Sequence, residues 1–432
     1  MNHKELQQRM ISKAVKVCAG AAVIAGALHA QEGATPKGVP HLDHVFVVMM
    51  ENHAYAQIVG NPQMPFTNQY MKAANAATNY FAVAHPSLTN YLEVVGGSNF
   101  GVTNDNSPDW HSAVCTTNLS SGMPSLDNGK APAICPIAGS GTDAATPAID
   151  YSNETTGLPG DINIDGKKSY AANPNTVGKS IADQLAAHGM TWKAYEESLT
   201  PAGADNVNNS DGLLTSANLA TALPGVTSLA NLYAVKHNPF AYFRSIQEGT
   251  FWGSSLKNVV PFEGKGGLFT DLKSGKVPTY SFIAPNQCND QHGRGNAGPE
   301  CLYDPNNDGT LKGLNPALMY RGDATVETIV DAIHESPAWR QGRNAIIVVW
   351  DENDYSVAPT TNQVLAIVDT NYGKKGVTSS TYYTHFSLLK TIEAGLDLPC
   401  LNHACDASTA VMTDLFAEGD RDHDHDNDWD DR

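Results

Sequence analysis

His44-Val45-Phe46-Val47-Val48-Met49-Met50, closed by Glu51-Asn52, and Ala345-Ile346-Ile347-Val348-Val349-Trp350, closed by Asp351-Glu352, decide the fold. Each run is apolar without alternation and too short for a helix, so each reads as a buried parallel strand. Open α/β sheets place ligands at the carboxyl ends of their strands. Two strands distant in sequence can therefore present Glu51, Asn52, Asp351 and Glu352 to one point at a sheet edge. Three carboxylates and an amide are hard oxygen donors of the kind that hold a divalent metal. The bland alternative is that Asp351 and Glu352 simply lead the chain from the sheet into solvent. The serine-bearing string described below weighs against it.

The 432 residues, 41% of them hydrophobic, suffice for one large α/β domain or two smaller ones. Residues 1–30 read as a secretory signal: Lys4, Arg9, Lys13 and Lys16 precede an apolar stretch from Val17 to Leu28, and Leu28-His29-Ala30 offers a cleavage site. Export from a bacterial cell to the periplasm or the medium is expected, with an uncleaved N-terminal anchor as the minor alternative. No later segment approaches the roughly 20 apolar residues that spanning requires, so stable membrane insertion is not expected. Loss of the signal removes four basic and one acidic residue and moves the formal charge from -18 to -21. Such a surface disfavours nucleic acid.

Cys18 leaves with the signal, and six cysteines remain in an oxidising compartment. Of the 15 pairings that six cysteines allow, proximity favours Cys115 with Cys135, Cys288 with Cys301, and Cys400 with Cys405. A zinc site is the competing idea, but no repeated C-x-x-C spacing supports it.

Residues 31–40 read as a linker, and a catalytic domain is expected over 41–416. Its elements are a helix over about 65–77, a helix near 177–188, a strand over 190–195, a helical stretch near 240–248, strands at 279–284, 345–350 and 364–368, and helices at 324–336 and 385–394. Residues 98–175 are rich in Gly, Pro, Asn, Asp, Ser and Thr and read as an irregular cap-like insertion that shapes a pocket. Residues 417–432 form an acidic tail, expected to be disordered. From Asp420 onward it carries seven Asp, two Arg and two His, a composition that solvates rather than packs, with loose cation chelation as the other reading.

In His85-Pro86-Ser87-Leu88-Thr89-Asn90-Tyr91 a loop enters a helix, with Ser87 near its start. A serine there can be a cap and nothing more. Beside a metal, the same hydroxyl is a nucleophile, and the helix N-terminus favours an incoming anion. Asp304-Pro305-Asn306-Asn307-Asp308-Gly309 and Asp161-Ile162-Asn163-Ile164-Asp165-Gly166 mimic the start of a calcium loop, but position 12 is Asn315 or Ala172 rather than a bidentate Glu. An Asx-rich turn is the preferred reading over Ca2+ at Asp304, Asn306 and Asp308.

Six strings in order, Met50-Glu51-Asn52-His53, the His85 to Tyr91 string, Lys236-His237-Asn238-Pro239-Phe240, Pro285-Asn286-Gln287-Cys288-Asn289-Asp290-Gln291-His292-Gly293, Trp350-Asp351-Glu352-Asn353-Asp354 and Tyr383-Thr384-His385-Phe386-Ser387, resemble one family. It is the bacterial phosphoesterase family of acid phosphatases and nonspecific phospholipases C, within the alkaline phosphatase superfamily. The resemblance implies an alkaline phosphatase-like three-layer α/β/α sandwich with a mostly parallel central sheet. It also implies a phosphoserine mechanism, with Glu51, Asn52, Asp351, Glu352 and Ser87 on one divalent metal and His237 and His292 on the transferred phosphoryl group. Asp290, His292 and His385 are the matching positions for a second metal. His85 and Asn90 are lesser candidates. Thr89 stands where the family usually has proline.

Each histidine also has a plainer reading. His85 can merely hold the loop, His237 can be a helix-start residue bonded to backbone, His292 a surface loop residue, and His385 a helix cap or core residue. The leading expectation is a secreted acid phosphatase acting on a small phosphorylated substrate, with an acid optimum from protonated imidazoles. The runner-up is a phospholipase C-type phosphodiesterase. It is disfavoured by the lack of a twin-arginine pair in the leader and of added C-terminal domains. A non-catalytic metal-binding surface protein is the alternative of another class, and Ser87 argues against it.

Overall fold

A computed structural model describes residues 32–100, 178–199, 232–249, 251–294, 297–305, 310–353 and 362–418, with residue 102 and the pairs 125–126, 134–135 and 208–209. The expected signal, most of the cap-like insertion, the Cys115–Cys135 bridge, the Asp161 string and the acidic tail beyond residue 418 lie outside the described residues.

The two decisive runs are neighbours. Strands β1 (His44–Met50), β2 (Asn75–Phe81), β3 (Trp192–Glu196), β4 (Val259–Val260), β5 (Tyr280–Ala284), β6 (Asn344–Trp350), β7 (Gln363–Thr370), β8 (Thr378–Ser379) and β9 (Tyr383–Thr384) build one sheet. Its order is β8-β2-β7-β6-β1-β5-β3-β4, with β9 also on β2. β6, β1, β5, β3 and β4 are mutually parallel. β7 runs antiparallel to both β6 and β2, so it is the one reversed strand of a mostly parallel sheet. Every residue of β6 and all but the first of β1 are buried, as expected of strands covered on both faces.

Helices α1 (Pro65–Ala73), α2 (Ser87–Gly96), α3 (Ile181–Ala187), α4 (Leu268–Ser274), α5 (Pro316–Glu335) and α6 (His385–Gly395) divide into two packed groups. α5 packs on α1 and α4, and α2 packs on α3 and α6, giving the two helical layers of the sandwich.

Local chemistry sets the element ends. Ser180 and Asp183 form a capping box at the start of α3, and Asn315 accepts from the Ala317 amide ahead of α5. The expected helix over 65–77 stops at Ala73, because residues 75–81 are drawn into the sheet as β2, paired with β7 and β8. α5 begins at Pro316 rather than 324. The stretch near 240–248 divides into a 3-10 turn, Pro239–Tyr242, and a short helix, Arg244–Glu248. Inside the expected irregular insertion, Ser125–Leu126 pairs antiparallel with Ile134–Cys135.

The expected linker is not free. Glu32 bridges Leu401 antiparallel to it, the Gly33 amide donates to the Cys400 carbonyl at 2.8 Å, and Glu32 pairs with Lys179 at 2.5 Å. Cys288–Cys301 and Cys400–Cys405 are bridged as expected.

Candidate active site

The register Met50↔Trp350 brings Glu51 and Asp351 off the sheet side by side, and the Asp351 amide donates to the Met50 carbonyl at 2.9 Å. Asp351 Oδ1 accepts from the amides of Asn52 (3.1 Å) and Glu352 (2.6 Å). Asn52 is thus tied to the site through its backbone. Its φ of 55° lies in the left-handed region that Asn tolerates better than most residues.

Ser87 is the first residue of α2, and Pro86, not Ser87, occupies the cap position. Ser87 Oγ lies 3.1 Å from Glu51 Oε2 and 3.1 Å from Glu352 Oε1. A hydroxyl has one proton, so it satisfies only one of the two carboxylates at a time. The plain capping reading of Ser87 fails on this geometry. Thr89 Oγ1 donates to the Pro86 carbonyl at 2.6 Å. That bond ties the loop locally at the position where the family usually has proline.

Glu352 Oε2 meets Asn90 Nδ2 at 3.2 Å and His85 Nδ1 at 2.5 Å. Asn90 Oδ1 also accepts from the Val83 and Ala84 amides, so this residue fastens the start of α2 to the end of β2. His85 and Asn90 therefore hold Glu352.

His237 sits between two carboxylates, with Nε2 2.9 Å from Glu51 Oε1 and Nδ1 3.1 Å from Asp290 Oδ2. The Tyr91 ring stacks on it, with centroids 5.3 Å apart and planes within 5°. Burial alone would lower the His237 pKa. The charge of Glu51 and bonds to Asp290 and Glu51 outweigh it and push the value up to about 10. In turn Glu51, which burial would raise, is held down to about 2, first by the His237 charge. Burial raises Asp290 to about 7.

The His292 amide donates to Asp290 Oδ1 at 2.7 Å. Its Nδ1 lies 2.8 Å from the Gly293 carbonyl, which places the proton on Nδ1 and leaves Nε2 as an acceptor 3.2 Å from Lys236 Nζ. Burial, then the Lys236 charge, lower His292 to about 3. The neighbouring groups thus favour the protonated form of His237 and the neutral form of His292.

His385 Nε2 is 2.6 Å from the Asp351 carbonyl, and its Nδ1 is 2.9 Å from the Tyr80 hydroxyl. With both ring nitrogens engaged, it braces the Asp351 backbone and does not close a site with Asp290 and His292. Burial lowers it to about 4, the neutral form this bonding requires.

The site fits a cation. Asp351 Oδ2 is buried with no hydrogen-bond partner. Burial and then the charges of Glu51 and Glu352 raise the Asp351 pKa well above its ordinary value, as expected where carboxylates crowd without a counter-charge. Among the described residues, one group brings three ligand atoms within 4.8 Å of one another: Glu51, His237 and His292. Glu51 is thus common to the expected carboxylate set and to a mixed nitrogen–oxygen set with His237, expected on the phosphoryl group, and His292, expected there or on a second metal.

Sequence reasoning missed three contributors. His53 bonds the Glu51 carbonyl, Lys236 faces His292, and Gln291 accepts from Trp350 Nε1 at 2.9 Å. All three stand inside or beside the quoted strings, which was the available signal. Asp304, expected in a turn or on Ca2+, has its oxygens on His53 and the Asn315 amide. Asn306 and Asp308 lie outside the described residues.

These features define an α/β protein whose ionisable groups and helix-start serine gather at the strand ends. The family model described as the Phosphoesterase family matches residues 61–300 and 315–399, and the chain belongs to that family. It is 24% identical over 393 residues to a phosphatidylinositol-3-phosphatase of Mycobacterium tuberculosis, covering 90% of this chain and 87% of that protein. It is 21% identical over 365 residues to a probable acid phosphatase of Kluyveromyces lactis, covering 84% of this chain and 60% of that protein. An acid phosphatase of Aspergillus fumigatus matches at 23% over 82% of this chain and 55% of its own length. The chain thus spans little more than half of these two fungal relatives. A solved protein of the alkaline phosphatase superfamily from Vibrio parahaemolyticus is similar at a TM-score of 0.42 and 12% identity, over 87% of this chain and 72% of that one.

Proposed function

We propose that this phosphoesterase is a secreted, metal-dependent acid phosphatase that hydrolyses phosphomonoesters through a phosphorylated Ser87. The observation that carries the reading is the Ser87 hydroxyl, 3.1 Å from both Glu51 and Glu352 at the start of a buried helix. The names of its acid phosphatase relatives agree with it.

A phosphate monoester is repelled by a carboxylate-lined pocket until positive charge offsets it. His237 and Lys236 supply part of that charge, and the N-terminus of α2 adds its dipole. A divalent cation held by Glu51, Asp351, Glu352 and His292 would supply the rest and would lower the pKa of the serine hydroxyl. Ser87 passes its proton to a neighbouring carboxylate and its oxygen attacks phosphorus, while the bond to the leaving oxygen breaks. That oxygen takes a proton as it departs. Water then attacks the phosphoserine, the Ser87–phosphorus bond breaks, and the serine proton is restored. His237 stays clamped by Glu51 and Asp290 and offers its charge to the phosphoryl oxygens.

The test is release of p-nitrophenol from p-nitrophenyl phosphate between pH 4 and 9, beside bis-p-nitrophenyl phosphate, with the Ser87→Ala variant in parallel. Monoester turnover that falls at least about 10³-fold in the variant is expected. Diester-only turnover would favour the phospholipase C-type reading. No turnover of either ester with metals resupplied would favour a binding protein.

A further inference from the structure

We infer that His53 and Asp304 form a buried positioning pair that holds the end of β1, with Glu51, in register with the disulfide-braced loop that carries Asp290 and His292. The inference rests on the metal reading above and names which residues keep that site closed.

His53 Nδ1 lies 2.9 Å from the Glu51 carbonyl, and its Nε2 lies 2.7 Å from Asp304 Oδ2. The two side chains are only 2% and 4% exposed. The ring thus bridges the Glu51 carbonyl and the Asp304 carboxylate. The other Asp304 oxygen accepts from the Asn315 amide at 2.6 Å, just ahead of α5.

Asp304 follows closely on Cys301, whose bridge to Cys288 closes the segment containing Asp290 and His292. Within that segment the Arg294 amide donates to the Cys301 carbonyl at 2.5 Å. The Glu51 peptide is therefore gripped on both sides by one loop. Its N–H donates to the Asp290 carbonyl at 2.9 Å, and its carbonyl accepts from His53, which Asp304 backs. A second anchor holds the same loop to β6, since the Gln291 side chain accepts from Trp350 and donates to the Met319 carbonyl. Gly322 makes room for it: a Cβ there would lie 2.2 Å from Gln291 Cγ.

Glu51 comes from β1 and His292 from the loop, so their approach depends on this register rather than on either element alone. Metal ligands tolerate only a few tenths of an ångström of error, and loss of an outer partner of a ligand typically weakens metal binding about 10–100-fold. The first acidic position of the calcium-like string thus serves the catalytic site.

The experiment titrates Mg2+, Mn2+ and Zn2+ in turn by calorimetry into chelator-stripped wild type, Asp304→Ala, Asp304→Asn and His53→Gln. Metal-free thermal unfolding and p-nitrophenyl phosphate kinetics are recorded on the same samples. Expected is metal binding about 10–100-fold weaker in Asp304→Ala and His53→Gln, a smaller loss in Asp304→Asn, and recovery of kcat when metal is raised. A purely structural lesion would not recover with metal. Metal binding within twofold of wild type in folded variants would overturn the inference, as would failure of all three variants to fold. Wild type that binds none of the three metals would instead overturn the metal reading itself.

Discussion

Asp351 keeps one carboxylate oxygen on two backbone amides and leaves the other buried without a partner, beside Glu51 and Glu352. Burial and those two charges raise its pKa, so the ionised form is disfavoured in the metal-free fold. Asp351→Asn keeps the shape and an acceptor for the amides while removing a like charge. The metal-free variant should unfold at higher temperature than wild type at pH 7, by an amount worth about 1–3 kcal/mol. It should also lose measurable affinity for divalent metal. Thermal unfolding with chelator and metal titration check both, and a variant less stable than wild type would contradict the charge-crowding account. At this scale the sequence pointed to Ser87, Glu51, Asp351, Glu352, His237 and His292, which the fold brings together, because each ends an apolar run or sits in a distinctive string. It did not reveal that His292 is neutral or that His53 backs Glu51, since both depend on which groups face the rings.

α6 starts with His385 against Asp351 and carries Glu393 fully buried near its other end. Glu393 Oε1 accepts from the Leu401 amide at 2.8 Å, and burial raises its pKa well above the ordinary value. The sign follows from proton binding: above pH of about 4.5 the folded state holds a proton that the unfolded chain releases, so stability falls as pH rises. Glu393→Gln keeps the acceptor and removes the titration. Its unfolding midpoint should match wild type near pH 4 and exceed it increasingly toward pH 8, which parallel melts would show. A constant offset across that range would refute the linkage. Among the elements, β1, β5 and β6 were legible because apolar runs of five to seven residues have no other stable place. β2 was not, since Asn75-Ala76-Ala77-Thr78-Asn79-Tyr80-Phe81 has neither a strongly apolar run nor strict alternation. Its pairing with β7 and β8 overrides local preference.

At the scale of the whole molecule, two bridges among the described residues fasten segments that the sheet does not reach. Cys288–Cys301 encloses the loop of Asp290 and His292, with a sequence separation of 13, whereas Cys400–Cys405 spans 5 near the pinned residues 32–34. Loop-closure entropy assigns about 3 kcal/mol to the first and about 2 kcal/mol to the second. The pair Cys288→Ala/Cys301→Ala should therefore cost more stability and lower kcat/KM. Cys400→Ala/Cys405→Ala should cost less and leave kcat nearly unchanged. Denaturant unfolding and steady-state kinetics separate them, and equal kinetic losses would count against a special role for the first loop. Among the described residues no helix is long and apolar enough to cross a membrane. The sequence by itself determined the class of sheet, the two carboxylate-bearing strand ends, the serine at a helix start and two of the bridges, because hydrophobic runs, turn chemistry and spacing are local signals. Tertiary structure decided the reversed sense of β7, the insertion of β2, the sharing of Glu51 between Ser87 and His237, and the protonation of each imidazole. Those depend on contacts between residues from dozens to hundreds of positions apart, which burial and strand register set and no local pattern encodes.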